Sequence, residues 1–121
     1  MNKGGLRHLI CATRSSVSGL SVAWKEETAF RQECVVLAGI VLGVSVIPGL
    51  TAWDKILLIG SWLPVMSIEL LNTAIECVFD LVTKEFHPMI KKGKDTASAA
   101  IFVMICLNIV LWAGYVIKLT E

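Results

Sequence analysis

What the chain has least of is charge. Only 17% of its 121 residues are Asp, Glu, Lys or Arg, 55% are hydrophobic, and the mean hydropathy is +0.72. A soluble domain of this length sits well below that value, so the composition is that of a membrane protein. A formal net charge of +1 offers nothing to a polyanion and argues against a nucleic-acid partner. Four cysteines, Cys11, Cys34, Cys77 and Cys106, stand far apart, with no CxxC pair and no histidines at zinc-finger spacing. Small buried hydrophobes are the better reading for them than a disulfide framework or a structural metal. The basic N-terminus lacks a sustained apolar run, because Thr13, Arg14, Ser15 and Ser16 interrupt it, so it does not read as a cleaved signal peptide. Neither a Walker A motif nor the soluble protein-kinase motif set is present, which excludes the known soluble phosphoryl-transfer sites. A single domain over residues 1–121 is the natural count.

What is abundant is uncharged sequence. Cys34 to Leu50 runs for seventeen residues without charge and ends at Pro48-Gly49. At about 1.5 Å per residue that is just enough to cross a hydrocarbon core of roughly 30 Å. A second hydrophobic segment, about 56–82, carries Pro64, where a kink is expected. A third, about 96–117, ends with Trp112 and Tyr115, residues suited to a membrane interface. Basic residues gather before the first span (Lys3, Arg7, Arg14, Lys25, Arg31) and between the second and third (Lys84, Lys91, Lys92, Lys94). The expectation is therefore three spans, with the N-terminus and the 83–95 loop cytoplasmic and the C-terminus outside. Ahead of them, about 5–30, Leu6, Ile10, Thr13, Val17, Leu20 and Trp24 repeat at helical spacing. That predicts an amphipathic helix lying on the inner membrane surface, on the protein's own spans, or both.

The second span holds a contradiction, since "ELLNTAIECVFD" places three carboxylates in twelve residues of otherwise greasy sequence. At about 100° per residue, Glu69, Asn72, Glu76 and Asp80 fall within an arc of roughly 80°. Each carboxylate at the bilayer centre would cost roughly 2.5–3.5 kcal/mol, so the stripe must face protein, water or a cation. A helix-packing face could use Asn72 or Thr73 alone. Three acids with no Lys or Arg in the same helix point instead to function. If the span leaves the membrane near Val82, Glu69 lies roughly 15–20 Å deeper. A stripe running inward from the cytoplasmic edge suits chemistry between a water-soluble reactant and a lipid headgroup.

More polar groups wait at that edge: Glu26, Glu27, Arg31, Gln32 and Glu33 before the first span, and Glu85, His87, Lys94 and Asp95 before the third. Carboxylates suit Mg²⁺, usually one or two together with nucleotide phosphates. A lysine can hold phosphate, and a deep glutamate could take a hydroxyl proton.

"ELLNTAIECVFD", with "AWKEETAFRQE", "EFHP" and "GKDTASAA" in the same order, resembles the small prokaryotic diacylglycerol kinases and their undecaprenol kinase relatives. The resemblance covers nearly the whole chain, with Phe79 standing where the signature usually has valine. It implies an all-α integral membrane protein of three spans plus a surface helix, a homotrimer with active sites shared between chains, and a bacterial inner-membrane location. It also implies ATP-dependent phosphorylation of a lipid hydroxyl, with Mg²⁺ as cofactor. By position, Glu69 resembles the general base, and Glu27 and Glu76 the metal-holding carboxylates at the nucleotide. Glu85, Phe86, His87, Lys94 and Asp95 match ATP contacts. Ala29, Phe30, Arg31, Gln32, Glu33, Lys55, Ser98 and Trp112, with Glu69 itself, match lipid-substrate positions, and Asn72 and Asp80 polar supports. The N-terminal helix matches less well: a nucleotide-reaching arginine falls on His8 or Arg7, and an aromatic position is Ser15.

Diacylglycerol has ester carbonyls beside its hydroxyl, and undecaprenol has only hydrocarbon. Arg31 and Gln32 in "AFRQE" can donate to such oxygens, which favours diacylglycerol and phosphatidic acid as product. "LLNTAIE", "DLVT" and "HP" are similar to undecaprenol kinases, which keeps that lipid as the alternative. From other classes, a small oligomeric cation channel or transporter would use the stripe as an ion path, and a structural subunit would use it only for assembly.

Overall fold

Pro48 and Gly49 end the first apolar helix abruptly. Ile47 turns extended, and Gly49 takes a φ of +89°, a left-handed conformation that glycine alone adopts without strain. A Cβ there would also lie 3.2 Å from the Leu119 side chain, so the turn sits close against the far end of the last helix. Breaks of this kind divide the chain, a computed structural model, into five helices among the described residues, 3–121, with no strand. Met1 and Asn2 of the expected domain lie outside the described residues, as does the Lys3 side chain. The helices are α1 (Lys3–Glu26), α2 (Thr28–Val46), α3 (Ala52–Gly60), α4 (Leu63–Val82) and α5 (Pro88–Thr120).

Their bounds differ from the hydropathy runs for physical reasons. The surface helix, expected over about 5–30, stops at Glu26 because Glu27 is extended (φ −107°, ψ 107°). Residues 28–33 already belong to α2. Hydropathy marks where a helix enters lipid, and α2 begins before that. The second segment, expected as one kinked helix over 56–82, is two helices separated at Ser61–Trp62. Pro64 has no N–H for the Gly60 carbonyl four residues back, so the helical ladder is interrupted there, although Ser61 (φ −71°, ψ −19°) and Trp62 (φ −81°, ψ −29°) keep helical backbone angles. The third helix starts at Pro88, well before the apolar run, with His87 Nδ1 accepting from Met89 N at 3.1 Å as its N-cap.

Two helices, α2 and α5, are long and apolar enough to cross a membrane. α3 has nine residues, and α4 carries Glu69, Glu76 and Asp80. The core is small: Ile40, Val44 and Leu58, flanked by Leu50, Ile59, Trp62, Trp112 and Tyr115. Much of the apolar surface elsewhere is exposed in the single chain, including Leu42, Phe102, Ile109 and Val110. That is the condition of a protein whose helices meet lipid or further helices.

At one end a polar clasp closes the bundle. Thr51 Oγ1 accepts from Asp54 N at 3.1 Å and Asp54 Oδ2 accepts from Thr51 N at 3.0 Å, a capping box that starts α3. Lys118 of α5 donates to the same Asp54 oxygen at 3.0 Å and lies 5.7 Å from the Tyr115 ring centroid. The Thr51 backbone bond, then the Lys118 bond, hold the Asp54 carboxyl at about 2, against an ordinary 3.8. At the opposite end α4 and α5 pack closely, and the Phe79 ring fills the space a side chain at Gly93 would need.

Candidate active site

α4 supplies the deep end of the site. Two turns past Pro64, Glu69 and Asn72 point inward and are only 8% and 7% exposed. Glu76, one turn further, accepts from Asn72 Nδ2 at 3.3 Å. The start of α2 supplies the facing wall. Glu33 is buried, and its carboxylate lies within electrostatic reach of Glu69. Glu69 in turn feels both Glu76 and Glu27. Glu27 is the residue where the chain passes from α1 to α2, and its side chain makes no capping bond there. Glu27, Glu33 and Glu76 thus all lie within electrostatic reach of Glu69, and Asn72 bonds Glu76.

Among the described residues none of the ion pairs involves any of these four. Two atoms of the cluster, Glu33 Oε2 and Asn72 Oδ1, are buried without a hydrogen-bond partner. Buried acceptors of this kind ordinarily find a donor, so the cluster is shaped to receive one. Glu27 also lines a groove of about 550 Å³ between α1 and α4, together with Ser16, Ala23, Glu26, Thr73 and Cys77. Among the described residues no group of three or more His, Cys, Asp or Glu is arranged so that it could hold a metal ion.

The remaining expected residues fall into three places. Asp80 continues the stripe but is exposed, bonded to Lys94 of α5 at 2.9 Å. Lys94 is thereby tied to the stripe's outer end, whereas its neighbour Asp95 pairs along α5 with Lys91. Glu85 and Phe86 are exposed in the connection before α5, where Glu85 N donates to Thr83 Oγ1, and His87 serves as the α5 cap. Around the start of α2, Phe30 is buried and Ala29 and Gln32 are exposed. Arg31 turns back to α1: Nη1 donates to the Trp24 and Lys25 carbonyls at 2.8 and 3.1 Å, and Nη2 to Thr28 Oγ1 at 3.1 Å. Its guanidinium closes the α1 C-terminus, which leaves fewer donors for a lipid oxygen than the sequence reading assigns it. Ser98 is exposed on α5. Lys55 and Trp112 are not brought to the carboxylates: Lys55 follows the Asp54 clasp, and Trp112 packs on the Ile40–Val44–Leu58 core.

Sequence reasoning missed two contacts that frame the cluster. Trp62 Nε1 donates to the Glu33 carbonyl at 2.9 Å, and Asn108 bonds Ser61 at the α3–α4 break. The available signal was Asn108, the one amide in the apolar run of α5, and Ser61 and Trp62 just before Pro64.

The chain is similar to known proteins over most of its length. The family described as prokaryotic diacylglycerol kinase matches residues 14–116, leaving out the first half of α1. The chain is 44% identical over 110 residues to the diacylglycerol kinase of Haemophilus influenzae, covering 91% of this chain and 92% of that one. It is 38% identical over 112 residues to the diacylglycerol kinase of Escherichia coli K12, covering 92% and 90%. Against that of Pseudomonas aeruginosa it is 38% identical over 109 residues, covering 90% and 88%. Near-complete coverage on both sides leaves no large part of the fold unaccounted for, and the chain belongs to the prokaryotic diacylglycerol kinase family.

Proposed function

We propose that this protein is a lipid kinase that transfers the γ-phosphoryl group of ATP to the hydroxyl of diacylglycerol, giving phosphatidic acid and ADP. The observation that carries the reading is the four-carboxylate cluster with no cation of its own. Carboxylates crowded in this way repel one another, and a cationic or proton-donating ligand relieves the repulsion. Glu27 and Glu76 are the residues that would hold Mg²⁺, and two carboxylates are what the ion needs when phosphates complete its shell. Bound there, Mg²⁺ supplies charge neutralisation at the phosphates.

Glu69, deepest and most buried of the α4 stripe, takes the hydroxyl proton as the lipid oxygen attacks. Asn72 holds Glu76 in place and keeps one free acceptor facing the cluster. Lys94, displaced from Asp80, is the cation available to the phosphates, and Glu85, Phe86, His87 and Asp95 stand on the same side for the rest of the nucleotide. Gln32, Glu33 and the exposed face of α2 meet the lipid, with Ser98 across from them. Most of the rate would come from positioning and charge neutralisation, because phosphoryl transfer asks little covalent chemistry of the protein.

The same reading includes a single domain of three spans, the second made by α3 and α4 together. It places the N-terminus and the 83–95 connection in the cytoplasm of a bacterial inner membrane. It also includes a homotrimer whose chains share active sites, which the exposed apolar faces of α4 and α5 would support. Diacylglycerol is preferred to undecaprenol because the similar proteins are named for it and because Gln32 remains exposed at the start of α2. The test is the purified protein with Mg²⁺-ATP and both lipids in the same mixed micelles. Diacylglycerol is expected to show the higher kcat/KM. ADP formation independent of either lipid would remove the kinase reading, and a clear preference for undecaprenol would change only the substrate.

A further inference from the structure

The α3–α4 break lies inside apolar sequence, where an unpaired backbone group is costly. Pro64 has no N–H for the Gly60 carbonyl, and the carbonyl next along the chain, that of Ser61, receives Asn108 Nδ2 from α5 at 3.0 Å. The other Asn108 N–H goes to Met104 O at 3.1 Å, and Asn108 Oδ1 accepts from Ser61 Oγ at 3.1 Å. Ser61 Oγ also donates to Leu58 O at 3.1 Å. Asn108 is 4% exposed, and both of its donors and its acceptor are engaged. The residue after Ser61 carries the connection onward, since Trp62 Nε1 donates to the Glu33 carbonyl of α2 at 2.9 Å. Leu58 and Val65, on either side of the break, are fully buried. This is a fixed corner rather than a loose hinge.

The corner touches both walls of the carboxylate cluster. Its α2 end is the backbone of Glu33 itself. Its α4 end lies eight residues before Glu69, about 12 Å along the helix. An uninterrupted helix would need neither Pro64 nor Asn108. The Asn108 bonds fix the junction of α3 and α4 at the point where Trp62 reaches α2.

We propose that Asn108 is a positioning residue for the phosphoryl transfer: by closing the Ser61–Trp62 corner it sets the placement of Glu69 on α4 against Glu33 on α2. This rests on the lipid-kinase reading above, which turnover of the wild-type protein tests separately. Asn108 touches no reactant and acts only through Ser61 and Trp62.

The experiment compares wild type, Asn108→Ala, Trp62→Phe, and Asn108→Ala combined with Trp62→Phe, each as the full chain in micelles. Displacing reacting groups by about 1 Å can cost about 100-fold in rate, so Asn108→Ala is expected to lower kcat about 10- to 100-fold. The KM for ATP should stay within about twofold, because the nucleotide side is untouched. Trp62→Phe keeps the ring and removes only the donor; its effect on kcat should not add to that of Asn108→Ala, as expected of groups acting in one path. Additive losses of kcat in the double variant would mean that Asn108 and Trp62 act separately, and that result would overturn the proposal. So would an Asn108→Ala protein whose kcat per folded molecule equals that of wild type.

A readout independent of activity is the Trp62 indole N–H resonance, assigned by its loss in Trp62→Phe. Asn108→Ala should shift it and speed its exchange with solvent; an unchanged resonance also sinks the idea. If Asn108→Ala does not fold, Trp62→Phe alone carries the kcat-against-KM test, and normal turnover in it decides against the proposal.

Discussion

At the scale of single residues, the cost of each buried carboxylate is what makes its role testable. Glu69 is buried beside Glu33, Glu27 and Glu76 and has no cationic partner among the described residues. Glu69→Gln removes charge but keeps shape, so folding should be retained or improved. Turnover is expected to fall at least 100-fold, the lower end of the range for losing a general base, with ATP affinity nearly unchanged. Near-normal turnover in the folded variant would end its role as base. Glu27→Gln and Glu76→Gln should instead raise the Mg²⁺ concentration needed for half-maximal rate, and an unaltered Mg²⁺ dependence in both would remove them as ligands. Gly93 makes a different residue-scale point. Phe79, the one departure within the acidic signature, occupies the space of a Cβ at position 93. Gly93→Ala should therefore destabilise by about 1–3 kcal/mol, nearer the lower figure because the ring edge can swing away. The loss should vanish in a Phe79→Val background, and equilibrium unfolding in mixed micelles of the four proteins checks it.

At the scale of elements, the sequence was most legible where one periodicity dominated and least where two constraints met. The stripe of Glu69, Asn72, Glu76 and Asp80 followed from helical spacing alone, and Glu27 and Glu33 were both identified before their helices were known to face α4. The break at Ser61–Trp62 was visible only as Pro64. Pro64 frees the Gly60 carbonyl, but the neighbouring Ser61 carbonyl is met by Asn108, forty-seven residues away, which no local pattern shows. Arg31 was read from its chemistry as a lipid contact, but chemistry does not rank competing acceptors, and the α1 carbonyls are close at hand. The Asp54 clasp was also illegible, because Lys118 looks like a lone topology charge until α5 is folded back on α3. Its carboxyl is held at about 2 rather than 3.8. A depressed carboxyl contributes stability that is complete above its ordinary value and disappears as pH falls through the folded value. The thermal midpoint of wild type should therefore drop between about pH 4 and pH 2 by more than that of Asp54→Asn, which should start lower at neutral pH. Parallel acid profiles for the two proteins would show that the clasp contributes nothing.

At the scale of the whole molecule, the clasp and the carboxylate cluster lie at opposite ends of the helices, and that separation bears on topology. Asp54 follows the turn between α2 and α3, and Lys118 lies in the last turn of α5; their 3.0 Å bond puts both on one side of the bundle. Lys94 and Asp80 join the other ends of α4 and α5. The basic residues divide unequally between these ends. Arg7, Arg14, Lys25 and Arg31 precede or open α2, and Lys84, Lys91, Lys92 and Lys94 lie between α4 and the apolar part of α5. Only Lys55 and Lys118 stand at the clasp, and Lys118 is paired. On the proposed topology, the positive-inside bias puts the carboxylate end in the cytoplasm and the clasp outside. Reporter fusions at positions 52, 90 and 121 are expected to read outside, inside and outside. An inside signal at 121 would mean that α3 and α4 do not together complete a span. The Asp54–Lys118 bond would then have to form on the cytoplasmic side, and the carboxylates would face away from their nucleotide.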